Sequence, residues 1–255
     1  MSEWKTEELT RTFLNDVRGA IPGAELQFAV IGKIADRWCS SPGSILDLGC
    51  GNGILGRFLL ARFPSARGLF IDFSDPMLDA ARKNVGSLPH STVAKADFAS
   101  PQWSLLARPH GPFDIVVSGF AIHHQPDERK RELYAEILDL LAPGGLFLNL
   151  EHVASATDAG EKLFDDFFVD HLYDFHSKSK TDVNRDTIAN GYYKRPDKKE
   201  NLLAPVEDQC NWLKQLGFTD VDCFFKVFEL TIFGGRKASN HASEVTARKL
   251  AEPQG

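Results

Sequence analysis

Three aspartates and a cluster of glycines are the residues whose types and spacing could bind a nucleoside. Residues 45–53 read Ile-Leu-Asp-Leu-Gly-Cys-Gly-Asn-Gly, an apolar run that carries Asp47 and then breaks at Gly49, Gly51 and Gly53. Glycines there let the backbone approach a ligand closely, and such loops commonly cradle phosphate. A dinucleotide fingerprint requires G-x-G-x-x-G, yet its third place is Ile54 and the third glycine stands one position early. A pyrophosphate next to Asp47 would also set two anions close together in a partly desolvated site, where they repel strongly. A ligand carrying a positive group tolerates that carboxylate. Asp72 follows 19 residues after Gly53, where a ribose-binding acid is expected, its two oxygens accepting from the 2′ and 3′ hydroxyls. Asp97 closes a third apolar run, and with Phe98 it suits an adenine amino group beside an apolar wall.

These groups together ask for an adenosine with an amino-acid end and no phosphate. S-adenosylmethionine has an ammonium, a carboxylate and a sulfonium, and Asp47 is expected to pair with the ammonium. Methyl transfer is an in-line displacement in which positioning and desolvation supply most of the catalysis. A base is needed only when the acceptor is a protonated hydroxyl or amine. Candidate bases follow later apolar runs: His123, His124, Glu151 and His152. A histidine pair after Ser-Gly-Phe-Ala-Ile equally suits packing on the cofactor or capping a turn, so Glu151 and His124 are the two selected. Acceptor contacts are expected from His171, Tyr173, Tyr192, Tyr193 and Arg195, with Trp4 and Phe13 adding to a lid. Phe164, Phe168 and Phe175 also recur at the spacing of a helix packing face. His171, His176 and Glu151 or His152 have no spacing that compels a metal, and none is expected.

The elements that must position these residues alternate. Residues 25–38 space their apolar side chains as an amphipathic helix does. Strands are expected at 44–48, 68–73, 91–98, 113–120 and 145–153, and helices at 54–63, 75–85 and 127–141. Nearly all-apolar strands alternating with helices imply a parallel sheet covered on both faces. The rhythm then changes to an aromatic helix over 158–177, a basic stretch in which Asn190-Gly191 reads as a turn, and a helix near 206–216 ending at Gly217. Two antiparallel strands close the pattern.

The consecutive stretches "ILDLGCGNG", "GLFIDFSDPML", "AKADF", "FDIVVSGFAIHH" and "LLAPGGLFLNLEH" resemble the motifs of class I S-adenosylmethionine-dependent methyltransferases. The resemblance implies an α/β fold, a Rossmann-like doubly wound seven-stranded sheet, mostly parallel with an antiparallel last strand. It implies that Asp47, Gly49, Cys50, Gly51 and Gly53 contact the methionine part and that Asp72 and Phe73 hold the ribose. Met77, Asp97 and Phe98 would enclose the adenine, and Ser118 and Gly119 would lie near the sulfonium. The stretches "IPGAELQFAVIGKIADRW", "KRPDKKEN" and "FELTIFGGRK" are also similar to the carboxy-S-adenosylmethionine synthases that serve tRNA wobble-uridine modification. That family presents an arginine to a carboxylate of its ligand, and Arg195 is the matching position, although the spacing differs by one residue. Besides a methyltransferase on a small anionic or aromatic acceptor, the alternatives are such a synthase and a non-catalytic S-adenosylmethionine-binding protein.

Composition bounds the rest. A chain of 255 residues, 43% hydrophobic and 25% charged, is long enough for a full core and ordinary for a soluble globular protein. No apolar stretch approaches a membrane span, and four singly placed cysteines read as reduced thiols, so the expected location is cytoplasmic. The net charge of −6 argues against direct nucleic-acid binding. Between Lys178 and Lys199, however, seven basic residues face three acids, a local +4 suited to steering an anionic substrate. The organisation expected is an N-terminal lid segment at 1–24, a methyltransferase domain over 25–237 with an insertion at about 156–205, and a disordered tail at 238–255. The partners expected are a small-molecule methyl acceptor and, as the assembly considered, a second copy of the chain in a homodimer.

Overall fold

The computed structural model describes residues 21–178 and 182–239. Trp4, Phe13, most of the expected lid and all but two residues of the expected tail lie outside them. The strands are β1 (Ser44–Leu48), β2 (Arg67–Asp72), β3 (Ser91–Lys95), β4 (Phe113–Gly119), β5 (Leu141–His152), β6 (Thr219–Val227) and β7 (Leu230–Arg236). They form one sheet in the order β3-β2-β1-β4-β5-β7-β6. β7 alone runs against the direction of the other six strands. The fold is thus the doubly wound seven-stranded sheet that the alternating pattern predicts.

Strands buried on both faces need a helix layer on each side. The helices are α1 (Ala24–Trp38), α2 (Ile54–Arg62), α3 (Asp75–Val85), α4 (Trp103–Ala107), α5 (Asp127–Leu140), α6 (Asp158–Ser177), α7 (Arg185–Lys194) and α8 (Val206–Leu216). One core joins Ile31, Leu59, Phe70, Val117, Leu148 and Phe164. The other, on the opposite face, joins Leu46, Leu69, Trp103, Tyr134, Phe147 and Trp212. Register brings the ends of the central strands level: Leu48 pairs with Ile71 on one side and with Ser118 on the other. The strand order reverses between β1 and β4, and ligands of open α/β sheets bind outside the strand ends at such a point.

Several local expectations change. Asn190-Gly191 is not a turn but lies inside α7, because the Asn184 side chain caps that helix by accepting from the amides of Asp186 (2.8 Å) and Thr187 (3.2 Å). Stacking of Tyr192 on Phe168 at 5.4 Å then holds the helix down against its glycine. β3 ends at Lys95, which leaves Asp97 in the following turn rather than on the strand. α5 stops at Leu140 and β5 starts directly at Leu141, paired with Phe113.

Candidate functional site

A cavity of about 480 Å³ opens at the carboxyl ends of β1, β2, β3 and β4. Of the residues expected at a cofactor, Gly49, Gly51, Asp72, Phe73, Met77, Asp97, Phe98 and Gly119 are on its wall. Asp72 is 6% exposed. Its Oδ2 accepts from the Gly51 amide and its Oδ1 from the Ser74 amide, both at 2.9 Å. The acid therefore clamps the glycine loop to the start of α3 while facing the cavity, and burial raises its pKa above the usual aspartate value. Asp97 fixes its own turn by accepting from the Ala99 amide at 2.9 Å. Phe98 is set from behind, where buried Arg129 donates to the Phe98 carbonyl at 2.9 Å and is itself forked onto Glu136.

The other four expected cofactor residues sit beneath this wall. Asp47 is 2% exposed and its Oδ2 accepts from the Gly56 amide at 2.8 Å. α2 begins on Gly53, which has no side chain to cap it, and its first turn holds no acid. A carboxylate from β1 therefore satisfies an amide at the positive end of that helix. The carboxylate expected to pair with an ammonium thus lies beneath the wall, bonded to the start of α2. Gly53 has φ +79° and faces Val85 and Phe70 in the core. Cys50 is buried, its amide donating to Ile71 O, and Ser118 Oγ donates to Leu48 O at 2.7 Å, stitching β4 to β1. Gly56 is a glycine that sequence reading passed over. A Cβ there would come within 2.4 Å of Phe70, so it serves the close helix–strand packing that the fingerprint's third glycine provides.

Behind the cavity lies a buried titratable network. Glu151 is fully buried and not on the wall, so it is not placed to touch an acceptor as a direct base. Its carboxylate accepts from the amides of His123 (3.0 Å) and His152 (2.9 Å) and lies 2.5 Å from His123 Nδ1. Desolvation raises Glu151 to about 7 and drives His123 well below the ordinary histidine range. His152 Nε2 meets Glu229 Oε2 at 2.6 Å. His124 is on the cavity wall, with its ring 4.0 Å from that of His123. Its Nδ1 donates to the Glu200 carbonyl at 3.1 Å, which leaves the lone pair on Nε2. Burial lowers His124 to about 4, so it is neutral at pH 7.

This arrangement makes a pH prediction. Glu151 binds its proton more tightly folded (about 7) than unfolded (4.5), so its contribution to stability is complete below pH 4.5 and lost as pH rises through 7. Glu151→Gln removes that dependence. Urea unfolding at pH 5 and pH 8 is expected to show wild type losing up to about 3 kcal/mol relative to the variant. A wild-type-minus-variant difference equal at both pH values would contradict it.

None of His171, Tyr173, Tyr192, Tyr193 and Arg195 lies on this wall. Tyr192 is buried, its hydroxyl donating to Asp165 at 2.7 Å, and Arg195 stacks over its ring at 4.8 Å. His171 leans on Phe167 at 4.6 Å. Lys199, Glu200 and Leu202 reach the cavity instead, on a strap that follows α7. The Leu202 amide donates to His123 O at 2.8 Å, buried Lys130 donates to Leu202 O, and Lys198 pairs with Asp165 at 3.1 Å. Sequence reading missed Ser74, Ala99, Phe120, Ala121 and Gln125 on the wall; the basic stretch ending at Lys199 and the "KR…EN" similarity pointed toward the strap without saying which of its residues reach the cavity.

A family model described as a methyltransferase domain matches residues 45–145. Over 223 residues the chain is 31% identical to a carboxy-S-adenosyl-L-methionine synthase from Shewanella amazonensis, covering 83% of each protein. Over 106 residues it is 33% identical to a trans-aconitate 2-methyltransferase from an Acidovorax species, covering 42% of this chain and 37% of that one. Human N-acetylserotonin methyltransferase in complex with S-adenosylmethionine superposes with a TM-score of 0.59 at 15% identity, covering 92% of this chain and 58% of the other. The chain spans about three fifths of the length of the solved proteins that head its structural matches, and at such identities they show the fold alone. The wall residues fit S-adenosylmethionine: an ionisable Asp72 for a ribose, Asp97 with Phe98 for an adenine, and a glycine loop with no phosphate cluster. With the synthase match extending over most of both proteins, the chain belongs to the class I S-adenosylmethionine-dependent methyltransferases, and S-adenosylmethionine is its cofactor.

Proposed function

We propose that the enzyme methylates a small acceptor carrying an anionic group on an aromatic or unsaturated frame. The observation that carries this reading is the strap: Lys199 stands on the same cavity wall as His124, and its chain neighbours Arg195 and Lys198 lie over the rings of Tyr192 and Tyr193. A cationic, aromatic-backed rim draws in an anion and seats a flat one. When bound, S-adenosylmethionine supplies an electrophilic methyl group.

The chain's own residues do the rest. Phe98, Phe120 and Met77 exclude water around the cavity, and Asp72 orients the nucleoside part. His124, neutral and directed by the Glu200 carbonyl, takes a proton from the acceptor at Nε2 where one must leave. Glu151 is a positioning group that holds His123, and through it His124 and the strap. The test is transfer of a tritiated methyl group to a panel of small aromatic and unsaturated acids and their amides. Label is expected on the acids; equal label on the amides would refute an anionic acceptor. Lys199→Ala is expected to raise acceptor KM about tenfold with cofactor affinity unchanged, the size of one charge-assisted contact.

A second reading, a carboxy-S-adenosylmethionine synthase-like enzyme in the supply of tRNA wobble-uridine modification, is favoured by the similarity to such a synthase over 83% of each protein. Mass spectrometry of the ligand that co-purifies separates the two. S-adenosylmethionine or its homocysteine product supports methyl transfer, and an added carboxyl group supports the synthase.

A further inference from the structure

We propose that Phe120 recognises the positive sulfur of S-adenosylmethionine, presenting the face of its ring to the sulfonium. The proposal concerns the cofactor, so it holds whichever acceptor the enzyme takes. Phe120 follows directly on β4, at the point where the strand order reverses, and it is on the cavity wall with Gly119 and Ala121. It is partly buried against the core that includes Val117 and Leu148. Its ring meets no other ring among the described residues, whereas Phe168 and Tyr192 cover one another at 5.4 Å.

The backbone at this residue is strained. Phe120 has φ +52°, a left-handed conformation that is an outlier for a bulky side chain. Three other non-glycine residues among those described have a positive φ, and none of them is on this wall. Bonds on either side fix the conformation. The Phe120 amide donates to Leu150 O at 2.8 Å, and the His123 amide, three residues on, donates to Glu151 at 3.0 Å. Between them the Ala121 Cβ closes on the glycine loop, 2.4 Å from where a Cβ on Gly49 would stand. A glycine at position 120 would take the same conformation without steric cost. Strain that the surroundings over-determine gathers at functional sites, and here the costly part is the ring itself.

The order of the wall selects what the ring meets. The strands run β3-β2-β1-β4 across the cavity. Asp97 and Phe98, which suit the adenine, follow β3, and Asp72, which suits the ribose, ends β2. A ligand laid in that order carries its sulfur on toward β1 and β4, where Gly49, Gly119, Phe120 and Ala121 bring no acid to the wall. Asp47 lies beneath, bonded to the Gly56 amide. A sulfonium has no N–H or O–H, so no hydrogen bond can hold its charge, but the negative face of an aromatic ring can, as it does for quaternary ammonium groups. A carboxylate set against a methylsulfonium would itself accept the methyl group, and a benzene ring does not. Of the three rings on the wall, Phe73 adjoins Asp72 and Phe98 adjoins Asp97, which leaves Phe120 at the β4 end. Once the methyl group has left, the sulfur is a neutral thioether and this attraction is gone, so the ring favours the cofactor over its homocysteine product.

The test is calorimetric titration of the full chain with S-adenosylmethionine and, separately, with S-adenosylhomocysteine. Phe120→Leu keeps an apolar side chain and removes the aromatic face. It is expected to weaken S-adenosylmethionine binding about three- to thirtyfold, the range of a cation–π contact, and S-adenosylhomocysteine binding by less than about twofold. The retained affinity for S-adenosylhomocysteine shows that the variant folds. A pentafluorinated ring introduced at position 120 keeps the shape and removes the negative face, so it should reproduce the selective loss. Asp72→Ala is the control, expected to weaken both ligands alike because both carry the ribose. Equal loss of both ligands in Phe120→Leu, or wild-type S-adenosylmethionine affinity with the fluorinated ring, would overturn the proposal and leave Phe120 as an apolar wall. If Asp72→Ala spares both ligands, the cofactor does not lie along this wall and the proposal falls with that placement.

Discussion

Asp72→Ala is expected to raise the dissociation constant for S-adenosylmethionine about 100-fold or more in a calorimetric titration. A hydrogen bond to a charged group is worth about 1.5–3 kcal/mol, and two such bonds to a ribose diol exceed the 2.8 kcal/mol that separates affinities by 100-fold. The same carboxylate also binds the Gly51 and Ser74 amides, so its removal frees the loop that forms the cavity floor. A carboxylate has about four acceptor positions, which lets it serve both amides and a ligand. Burial raises its pKa, so cofactor binding is also expected to weaken as pH falls toward that raised value and the acceptor becomes a donor. Asp72→Asn separates the two roles. Its shape is conserved, but its NH₂ must face one of the amides or the ligand, so an intermediate loss is expected. An unchanged affinity in the alanine variant would remove Asp72 from the cofactor site.

The sheet was legible because apolar runs and turn residues are local signals. The runs at 44–48 and 113–119 are buried almost throughout, and such strands announce themselves by composition. The acids at strand ends were legible for the same reason, since position after a strand largely decides where a side chain faces. The bond that holds Asp47 beneath the wall was not legible, because its partner, the Gly56 amide, belongs to a helix whose missing cap is visible only once the chain has folded. Glu151 was misread by one face. A residue at a strand end points either into the cavity or into the core, and β5 turns Glu151 inward while the strap brings Lys199 and Leu202 to the wall. The strap was hardly legible at all. Its position rests on long-range bonds from Lys130, His123 and Asp165, which no local pattern contains.

Gly49→Ala is the second substitution expected to have a large effect, and it tests whether the loop's shape, rather than its charge, makes the cavity. Gly49 holds φ +67°, and an added Cβ would lie 2.4 Å from the Ala121 Cβ and 3.2 Å from the Phe98 ring. The backbone conformation alone costs an L-residue about 1–2 kcal/mol. The contact adds to that cost, because it is with a short side chain that has no flexible end to move aside. Relief therefore requires the Ala121 loop or the Phe98 ring to shift, and both are on the cavity wall. The melting temperature is expected to fall by at least about 5 °C, at roughly 2–4 °C per kcal/mol for a chain of this size. Affinity for S-adenosylmethionine is expected to fall more than tenfold. Gly217→Ala is the comparison: that glycine has φ +100° but nothing within 4 Å of an added Cβ, and it ends α8 away from the cavity. It should show backbone strain with cofactor affinity intact. If the two variants lose the same stability and both bind cofactor normally, Gly49 is needed only for its turn, and the close approach of Ala121 and Phe98 does not shape the site.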